Sequence, residues 1–193
     1  VFRPGPTVAF GRRDASLAGF GTAVTAAEDA GYAAVLRLGG GHAAAYDEGS
    51  VLVELITRER AVGVGIEPRF AALAARLEEA LRAVGIAPVV GELPGEYCPG
   101  RWSLHAEDSG IKLAGLAQRS IRGAALTTAV VVVEGGRRIR GVLEPVYAAL
   151  GLPWDPSTAG AAEDVRPGLR AGAFADAVAA TLEPPPRRGA ERD

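Results

Sequence analysis

The chain of 193 residues is 48% hydrophobic and 23% charged, and it has a formal net charge of −2 at pH 7. This composition is typical of one folded domain. It excludes a wholly disordered chain and offers no general attraction for nucleic acid or for an anionic membrane. A single cysteine excludes an internal disulfide, and because no secretory signal is recognisable we expect a cytoplasmic protein.

Short apolar segments bounded by glycine, proline or polar residues predict six strands. The predicted strands are residues 7–10, 32–38, 50–57, 88–90, 111–118 and 123–134. We expect the last two to form a hairpin in the core, joined by a polar turn at residues 119–122. The apolar stretch within the last strand is too short to cross a bilayer, which takes about 20 residues. Residues 39–49 and 91–100 are predicted to be loops.

Four segments predict helices. They are residues 22–30, 139–150, 169–182 and the segment that follows Pro68 and stops at Gly85. That segment has apolar residues at three- and four-residue spacing, a stripe that we expect to cover a sheet. Together the elements predict an α+β domain over residues 1–182, with helices covering a sheet rather than regular β-α-β winding. Residues 183–193, rich in proline and arginine, predict a disordered tail.

Cys98 is the strongest candidate for chemistry, because it lies in the predicted loop within the sequence Glu-Tyr-Cys-Pro-Gly. Proline and glycine in a tight loop should project the thiol. The alternative is a small buried residue, which is a common fate of free cysteine. A nucleophilic sulfur must be a thiolate and needs a nearby cation or base. His42 and His105 lie near enough in sequence to be considered, but neither is specific, and the general base stays unassigned.

Lys112 is the one lysine among 21 basic residues. In a strand its side chain points opposite to those of Ile111 and Leu113. Its ammonium could stabilise charge that develops on an acyl carbonyl, or favour the thiolate. The alternative is a solvated strand lysine. No zinc-type spacing of cysteine and histidine and no phosphate-binding glycine-lysine-serine motif is present, so we predict no metal site.

Three stretches carry a family resemblance. They are residues 6–14 (PTVAFGRRD), residues 37–49 (RLGGGHAAAYDEG) and a longer run made of residues 95–100 (GEYCPG), 110–119 (GIKLAGLAQR) and 122–123 (RG). Together they resemble the lipoate and biotin protein ligase superfamily, in particular its cysteine-dependent octanoyltransferase branch. The resemblance covers about residues 6–150. It implies the catalytic-domain fold of that superfamily, a mixed sheet covered by helices.

The resemblance also implies roles for individual residues. Lys112 matches a lysine that contacts the activated acyl group in both ligases and transferases, whereas Cys98 implies an acyl thioester and therefore the transferase branch. Residues 37–49 resemble the lipoyl-binding glycine loop of the family, and the strip from Arg37 to Gly41 is expected to bound the acyl chain. Backbone amides near Gly115 could assist Lys112. The substrate-binding residues implied are Arg37, Gly39, Gly40, Gly41, His42 and Gly115.

The activity implied is transfer of an octanoyl group through a Cys98 thioester to a lysine of a lipoyl-domain protein. The donor would be acyl carrier protein or an already octanoylated lipoyl protein. Because a thioester stays activated, no ATP and no other cofactor is expected, and neither nucleic acid nor membrane is an expected partner. Two alternatives remain: an ATP-dependent lipoate-protein ligase, which needs no such cysteine, and a catalytically inactive module that binds acyl or lipoyl proteins.

The chain departs from the family pattern at three positions that we expect to line the acyl tunnel. Gly39 replaces the usual serine, His42 replaces the third glycine of a ligase, and Leu52 replaces a common asparagine. The family also usually has more chain before the counterpart of Pro6. Since the sequence has no methionine, Val1 is either an alternative start or a cut edge.

A basic face for an acidic carrier protein is a further hypothesis, with ordinary solvated surface as its alternative. The arginines concerned are Arg119, Arg122, Arg137, Arg138 and Arg140.

Overall fold

The computed structural model describes residues 1–59 and 61–183, and the strands in these residues form two sheets. Strands β1 to β8 are, in chain order, Thr7–Phe10, Ala33–Leu36, Ala44–Tyr46, Ser50–Glu59, Pro88–Val90, Leu104–Ala106, Lys112–Ile121 and Gly123–Val132. In the smaller sheet β1 lies between β2, to which it is parallel, and β3, to which it is antiparallel. The larger sheet is antiparallel, in the order β4-β8-β7-β6-β5.

Helices cover both sheets and divide the interior into two apolar cores. Helices α1 to α5 are Phe20–Asp29, Ile66–Ala83, Gly136–Leu150, Ala162–Val165 and Ala171–Leu182. In the first core α2 and α5 pack on the larger sheet, with Leu77 and Phe174 fully buried. In the second core α1 and α3 pack together beside the smaller sheet around Phe10 and Ile139. The predicted α+β class, with helices covering a mixed arrangement of strands, is confirmed.

The predicted helices and the six predicted strands all correspond to observed elements. Strands β7 and β8 form the expected hairpin, in register from Ala114 opposite Val131 to Ile121 opposite Ala124. The apolar stripe of α2 contacts the larger sheet, as its spacing predicts. None of the helices in the described residues is long and apolar enough to cross a bilayer.

Three local predictions are wrong. Residues 39–49 contain β3, and β6 was not predicted at all; each has three residues, too few for a recognisable period. The polar turn at residues 119–122 is also shorter than predicted, because Arg119 and Ser120 pair with β8 and the chain turns at Arg122. In addition, β1, α1 and β2 form one parallel β-α-β unit within the otherwise α+β fold.

The hypothesis of one basic face is wrong as well. Arg119 and Arg122 lie at the turn end of the β7–β8 hairpin, whereas the other three arginines lie in α3, beyond the opposite end of β8. Ten strand residues at about 3.3 Å each separate the two ends. Two of the α3 arginines are also engaged, since Arg138 binds Asp47 and Arg140 binds the carbonyl oxygen of Ala159.

Residues 184–193 lie outside the described residues, so the disordered tail and the domain boundary stay predictions. The cytoplasmic location stays a prediction too.

Asp47 lies in the turn between β3 and β4, and its side chain holds this turn in place by hydrogen bonds. Its side chain is almost fully buried, and its Oδ2 atom accepts hydrogen bonds from the Tyr32 hydroxyl and from Arg138 Nε, each at 3.1 Å. Its Oδ1 atom accepts from the amide of Gly49 at 2.8 Å. Burial, and then the charge of Asp47, raise the pKa of Tyr32 from 10.0 to about 12.

The raised pKa of Tyr32 predicts a pH-dependent contribution to stability. Because the hydroxyl keeps its proton more tightly in the folded state, its contribution is fully present below about pH 10 and is lost as pH rises through about 12. We therefore expect Tyr32→Phe to be less stable than the natural chain at pH 8, and this difference to shrink toward pH 12. Urea unfolding of both proteins at several pH values measures it. A difference that stays constant would contradict the prediction.

Candidate active site

Cys98 lies in the loop between β5 and β6 and is held there in a strained conformation. Its φ of 44° is left-handed, and it is the one non-glycine residue with positive φ in the part of the chain that the structure describes. Such strain persists where neighbours hold the backbone, and it is common at functional sites. The Cys98 amide donates to the Tyr147 hydroxyl at 2.7 Å, and that hydroxyl donates to the carbonyl oxygen of Ala43 at 2.9 Å. Helix α3 thereby ties the cysteine loop to the glycine loop.

Lys112, at the start of β7, is buried beneath the cysteine loop. Its side chain is 1% exposed, so it is not a solvated strand lysine. Its ammonium donates to the carbonyl oxygens of Tyr97 at 2.8 Å and Cys98 at 2.9 Å, and it lies 3.3 Å from Glu96 Oε2. Burial lowers the pKa of Lys112, and the charge of Glu96 opposes that shift. The ammonium thus fixes the loop from below.

Glu96, which lies in the cysteine loop itself, makes further contacts that hold the loop around Cys98. Its carboxylate is fully buried, and Oε1 accepts from the Gly100 amide at 3.0 Å and from the Ser103 hydroxyl at 2.7 Å. One carboxylate therefore connects the two ends of the turn around Cys98 to the strand that carries Lys112. Glu96 Oε2 makes no hydrogen bond within the described residues, so it is joined to the Lys112 ammonium as an ion pair.

Arg37, which directly follows β2, contacts the thiol. Its Nη2 atom donates to the carbonyl oxygen of His42 at 2.7 Å and to Cys98 Sγ at 3.2 Å. As a residue, Cys98 is partly exposed. A cation in contact with the sulfur is the environment that a thiolate nucleophile requires.

Neither histidine side chain is hydrogen-bonded to the thiol within the described residues. His42 Nδ1 lies 2.7 Å from Asp14 Oδ1, and the buried Asp14 also accepts from the Gly11 amide at 2.8 Å. His105 lies on β6, opposite Val89. The hydrogen bonds that the described structure gives Cys98 include neither histidine, so the general base stays unassigned.

A cavity of about 400 Å³ opens beside the cysteine and resembles small-molecule sites in size. Arg37, Cys98 and Lys112 are polar residues of its lining, as are Glu67, Arg101, Ser103 and Gln118. Its other walls are mainly apolar: Ala44, Ala45, Ile66, Phe70, Trp102, Leu116, Ala117 and Val130. The rings of Phe70 and Trp102 stack with centroids 6.3 Å apart. The shape and lining suit an apolar chain whose reactive end lies at the sulfur.

Six of the eight residues implied by the resemblance line this cavity: Cys98, Lys112, Arg37, Gly40, Gly41 and Gly115. Gly39 and His42 do not. A Cβ atom on Gly39 would lie 2.9 Å from Ala117 Cβ, and His42 turns toward Asp14. Leu52, which we also expected in the tunnel, pairs with Phe2 and Val130 and is absent from the lining. These three positions therefore do not line the described cavity.

Sequence reasoning gave no role to two residues that build the site. Glu96 is the first residue of the Glu-Tyr-Cys-Pro-Gly motif. A carboxylate two positions before the cysteine was a usable signal for a partner of Lys112. Tyr147 lies inside a helix, 49 positions from the cysteine that it holds. Only the packing of α3 brings it there, so no sequence signal could have found it.

Comparison with known proteins decides the family. The family model described as "Lipoyl protein ligase A/B catalytic domain" matches residues 2–145. The chain belongs to this lipoyl protein ligase A/B family. Among curated relatives, the octanoyl-[GcvH]:protein N-octanoyltransferase of Geobacillus kaustophilus is 32% identical over 145 residues, covering 75% of this chain and 50% of the relative. The protein of the same name from Bacillus velezensis is 29% identical over 162 residues, covering 83% and 56%. The chain thus spans about half the length of these relatives.

Solved structures of this family share the fold. A crystal structure of lipoate-protein ligase A bound with ATP superimposes with a TM-score of 0.71 at 18% identity, covering 93% of this chain and 68% of the other. Protein Ta0514 of T. acidophilum with bound lipoic acid gives a TM-score of 0.67 at 17% identity, covering 93% and 68%. At these identities the likeness shows the fold alone.

The Tyr147 hydroxyl is predicted to stabilise the lipoyl ligase-type domain through the cysteine loop. Tyr147→Phe leaves the Cys98 amide and the Ala43 carbonyl without their partner, so we expect a loss of roughly 1–3 kcal/mol in the free energy of unfolding. Tyr97→Phe is the matched control, because the described contacts of Tyr97 are made by its ring and its backbone carbonyl and not by its hydroxyl. Urea unfolding measures both. An equal loss in the two variants would contradict the assignment.

The buried pair of Lys112 and Glu96 predicts strong coupling. Lys112→Met leaves a buried carboxylate unpaired, so we expect it to cost about 3–5 kcal/mol of stability. Adding Glu96→Gln should recover part of this loss, since the amide oxygen can still accept from Gly100 and Ser103. Arg82→Met, which breaks the exposed pair with Glu78, should cost less than about 1 kcal/mol. A double variant no more stable than Lys112→Met would refute the coupling.

Proposed function

We propose that this domain transfers an octanoyl group from a protein donor to a lysine of a lipoyl-domain protein, through a thioester on Cys98. The observation that carries the proposal is the position of Cys98, which lines a mainly apolar cavity and whose sulfur contacts Arg37. An acyl chain in that cavity would present its carbonyl carbon to the sulfur. The shared name of the curated relatives supports the octanoyl group as cargo.

The chemistry consists of two acyl exchanges at one sulfur. In the first, Cys98 Sγ attacks the acyl carbonyl carbon; a C–S bond forms, the bond to the donor's leaving atom breaks, and that atom takes up a proton. In the second, the neutral amine of the acceptor lysine attacks the thioester; an amide forms, the C–S bond breaks, and the amine's proton is released. The thiolate is regenerated, so nothing is oxidised or reduced.

We favour an octanoylated lipoyl protein over acyl carrier protein as the donor, because the relatives' name contains octanoyl-[GcvH]. With a donor amide, one amide is broken and one is formed, so the overall transfer needs no ATP. With a carrier thioester the transfer would run downhill to the amide. No cofactor is therefore part of the proposal in either case.

The surrounding residues have distinct parts in this proposal. Lys112 holds the carbonyls of the cysteine loop and so positions Cys98 beside the acyl chain. Gly115 lies against the Lys112 side chain, at 3.5 Å from Cε for an ideal Cβ, and its small size keeps the cavity open there. Gly40 and Gly41 bring the backbone of the glycine loop up to the acyl chain.

Intact-mass analysis tests the proposal. The natural chain and Cys98→Ser are incubated separately with octanoylated lipoyl protein and with octanoyl acyl carrier protein. We expect an octanoyl adduct on the natural chain, none on Cys98→Ser, and loss of the adduct with acylation of an added lipoyl domain.

Other outcomes contradict the proposal in recognisable ways. Octanoylation of the lipoyl domain by Cys98→Ala with octanoate and ATP, with release of pyrophosphate, would support the ligase alternative. Binding of either protein without any adduct or transfer would support an inactive binding module.

A further inference from the structure

Arg37 stands out among the residues at the sulfur because its charge has no carboxylate partner in the described ion pairs. Its Nη2 atom donates hydrogen bonds to the His42 carbonyl oxygen and to Cys98 Sγ. Its Nε atom is buried and makes no hydrogen bond within the described residues. A buried donor without a partner is unusual and calls for an explanation.

Lys112 is the residue that the family resemblance implies in contact with the activated acyl group. Unlike Arg37, it has a carboxylate partner. Its ammonium is neutralised by Glu96 and donates to two carbonyl oxygens of the cysteine loop. The pair carries no net charge toward the sulfur. The hydrogen bond that the described structure gives Sγ comes from Arg37 instead.

We propose that Arg37 is a catalytic residue of the acyl transfer: its guanidinium pairs with the Cys98 thiolate and holds the sulfur in its attacking form. Lys112 is then a positioning residue for the loop. This inference relies on the proposed function only for the reaction in which the sulfur acts. The contact itself is a property of the free protein.

The glycine loop is shaped for this contact. A Cβ atom on Gly41 would lie 2.5 Å from Arg37 Nη2 and 2.7 Å from Cys98 Sγ, inside the closest real contacts of such atoms. Gly41 also has a φ of 93°, a conformation that side chains rarely adopt. Because Gly41 has no side chain, its backbone lies beside Arg37 Nη2 and Cys98 Sγ without keeping them apart. The His42 carbonyl, which follows directly, fixes the guanidinium at 2.7 Å.

The contact also fits both halves of the reaction. The thiolate is the nucleophile in the first exchange and the leaving group in the second, so a fixed cation at the sulfur assists both. When Cys98 is acylated the sulfur is neutral, and the guanidinium is free to donate to the thioester oxygen.

Alkylation by iodoacetamide tests the pairing without any acyl substrate. Cys98 is the one cysteine of the chain, so intact mass reports its modification directly. We expect Arg37→Gln to react at least about tenfold more slowly at pH 7, since a hydrogen bond to a charged group is lost. Arg37→Lys should keep part of the rate because it keeps the charge.

Arg3→Gln is the matched control. The Arg3 guanidinium also donates to a backbone carbonyl oxygen, that of Glu48, but Arg3 does not line the cavity. We expect this variant to react at the natural rate. A natural rate in Arg37→Gln, or equal slowing in Arg3→Gln, would overturn the proposal.

A second measurement uses the natural chain and Cys98→Ser, so it does not depend on whether an Arg37 variant folds. The ultraviolet absorbance of a thiolate, taken as the difference between the natural chain and Cys98→Ser at neutral pH, should be present in the folded protein. Its absence would overturn the pairing. Slow alkylation of Arg37→Gln together with no octanoyl adduct on the natural chain would contradict the transfer function and leave the pairing supported.

Discussion

The buried ammonium of Lys112 is the interaction on which the arrangement of the site depends. Removing a charge of this kind from water costs several kcal/mol, and only good geometry with an opposite charge and further hydrogen bonds offsets that cost. Glu96 supplies the charge, and the carbonyls of Tyr97 and Cys98 supply the hydrogen bonds. The same contacts hold the cysteine at a left-handed φ. A shorter or neutral side chain at position 112 would leave these loop carbonyls unsupported.

The site lies where the two apolar cores meet. The first core carries the larger sheet and α2, which supply Lys112, Gly115 and one wall of the cavity. The second core carries α1, α3 and the smaller sheet, which supply Arg37 and Tyr147. A single hydroxyl, that of Tyr147, bridges the cysteine loop and the glycine loop. Because each core is close-packed, the groups around the sulfur are fixed from both sides.

Periodicity made most of the fold predictable, and its limits explain the failures. The helix α2 has 18 residues, and β7 and β8 have ten each, so their patterns are long enough to recognise. Strands β3 and β6 have three residues and exist because partners pair with them. For the site, the motif around Cys98 and the single lysine indicated the right loop and strand. Their contacts were not predictable, because Tyr147 and Arg37 reach the cysteine only through tertiary packing.

The distribution of charge assigns different work to the two cations of the site. Lys112 and Glu96 form a nearly neutral unit, so their effect at the sulfur is mainly geometric. Arg37 keeps its charge directed at Sγ, at a distance typical of a hydrogen bond to sulfur. The proposed transfer breaks one amide and forms another, so it requires little net free energy, but the sulfur anion must serve both as nucleophile and as leaving group. A fixed guanidinium meets that requirement as a permanent charge, because arginine is not deprotonated in proteins.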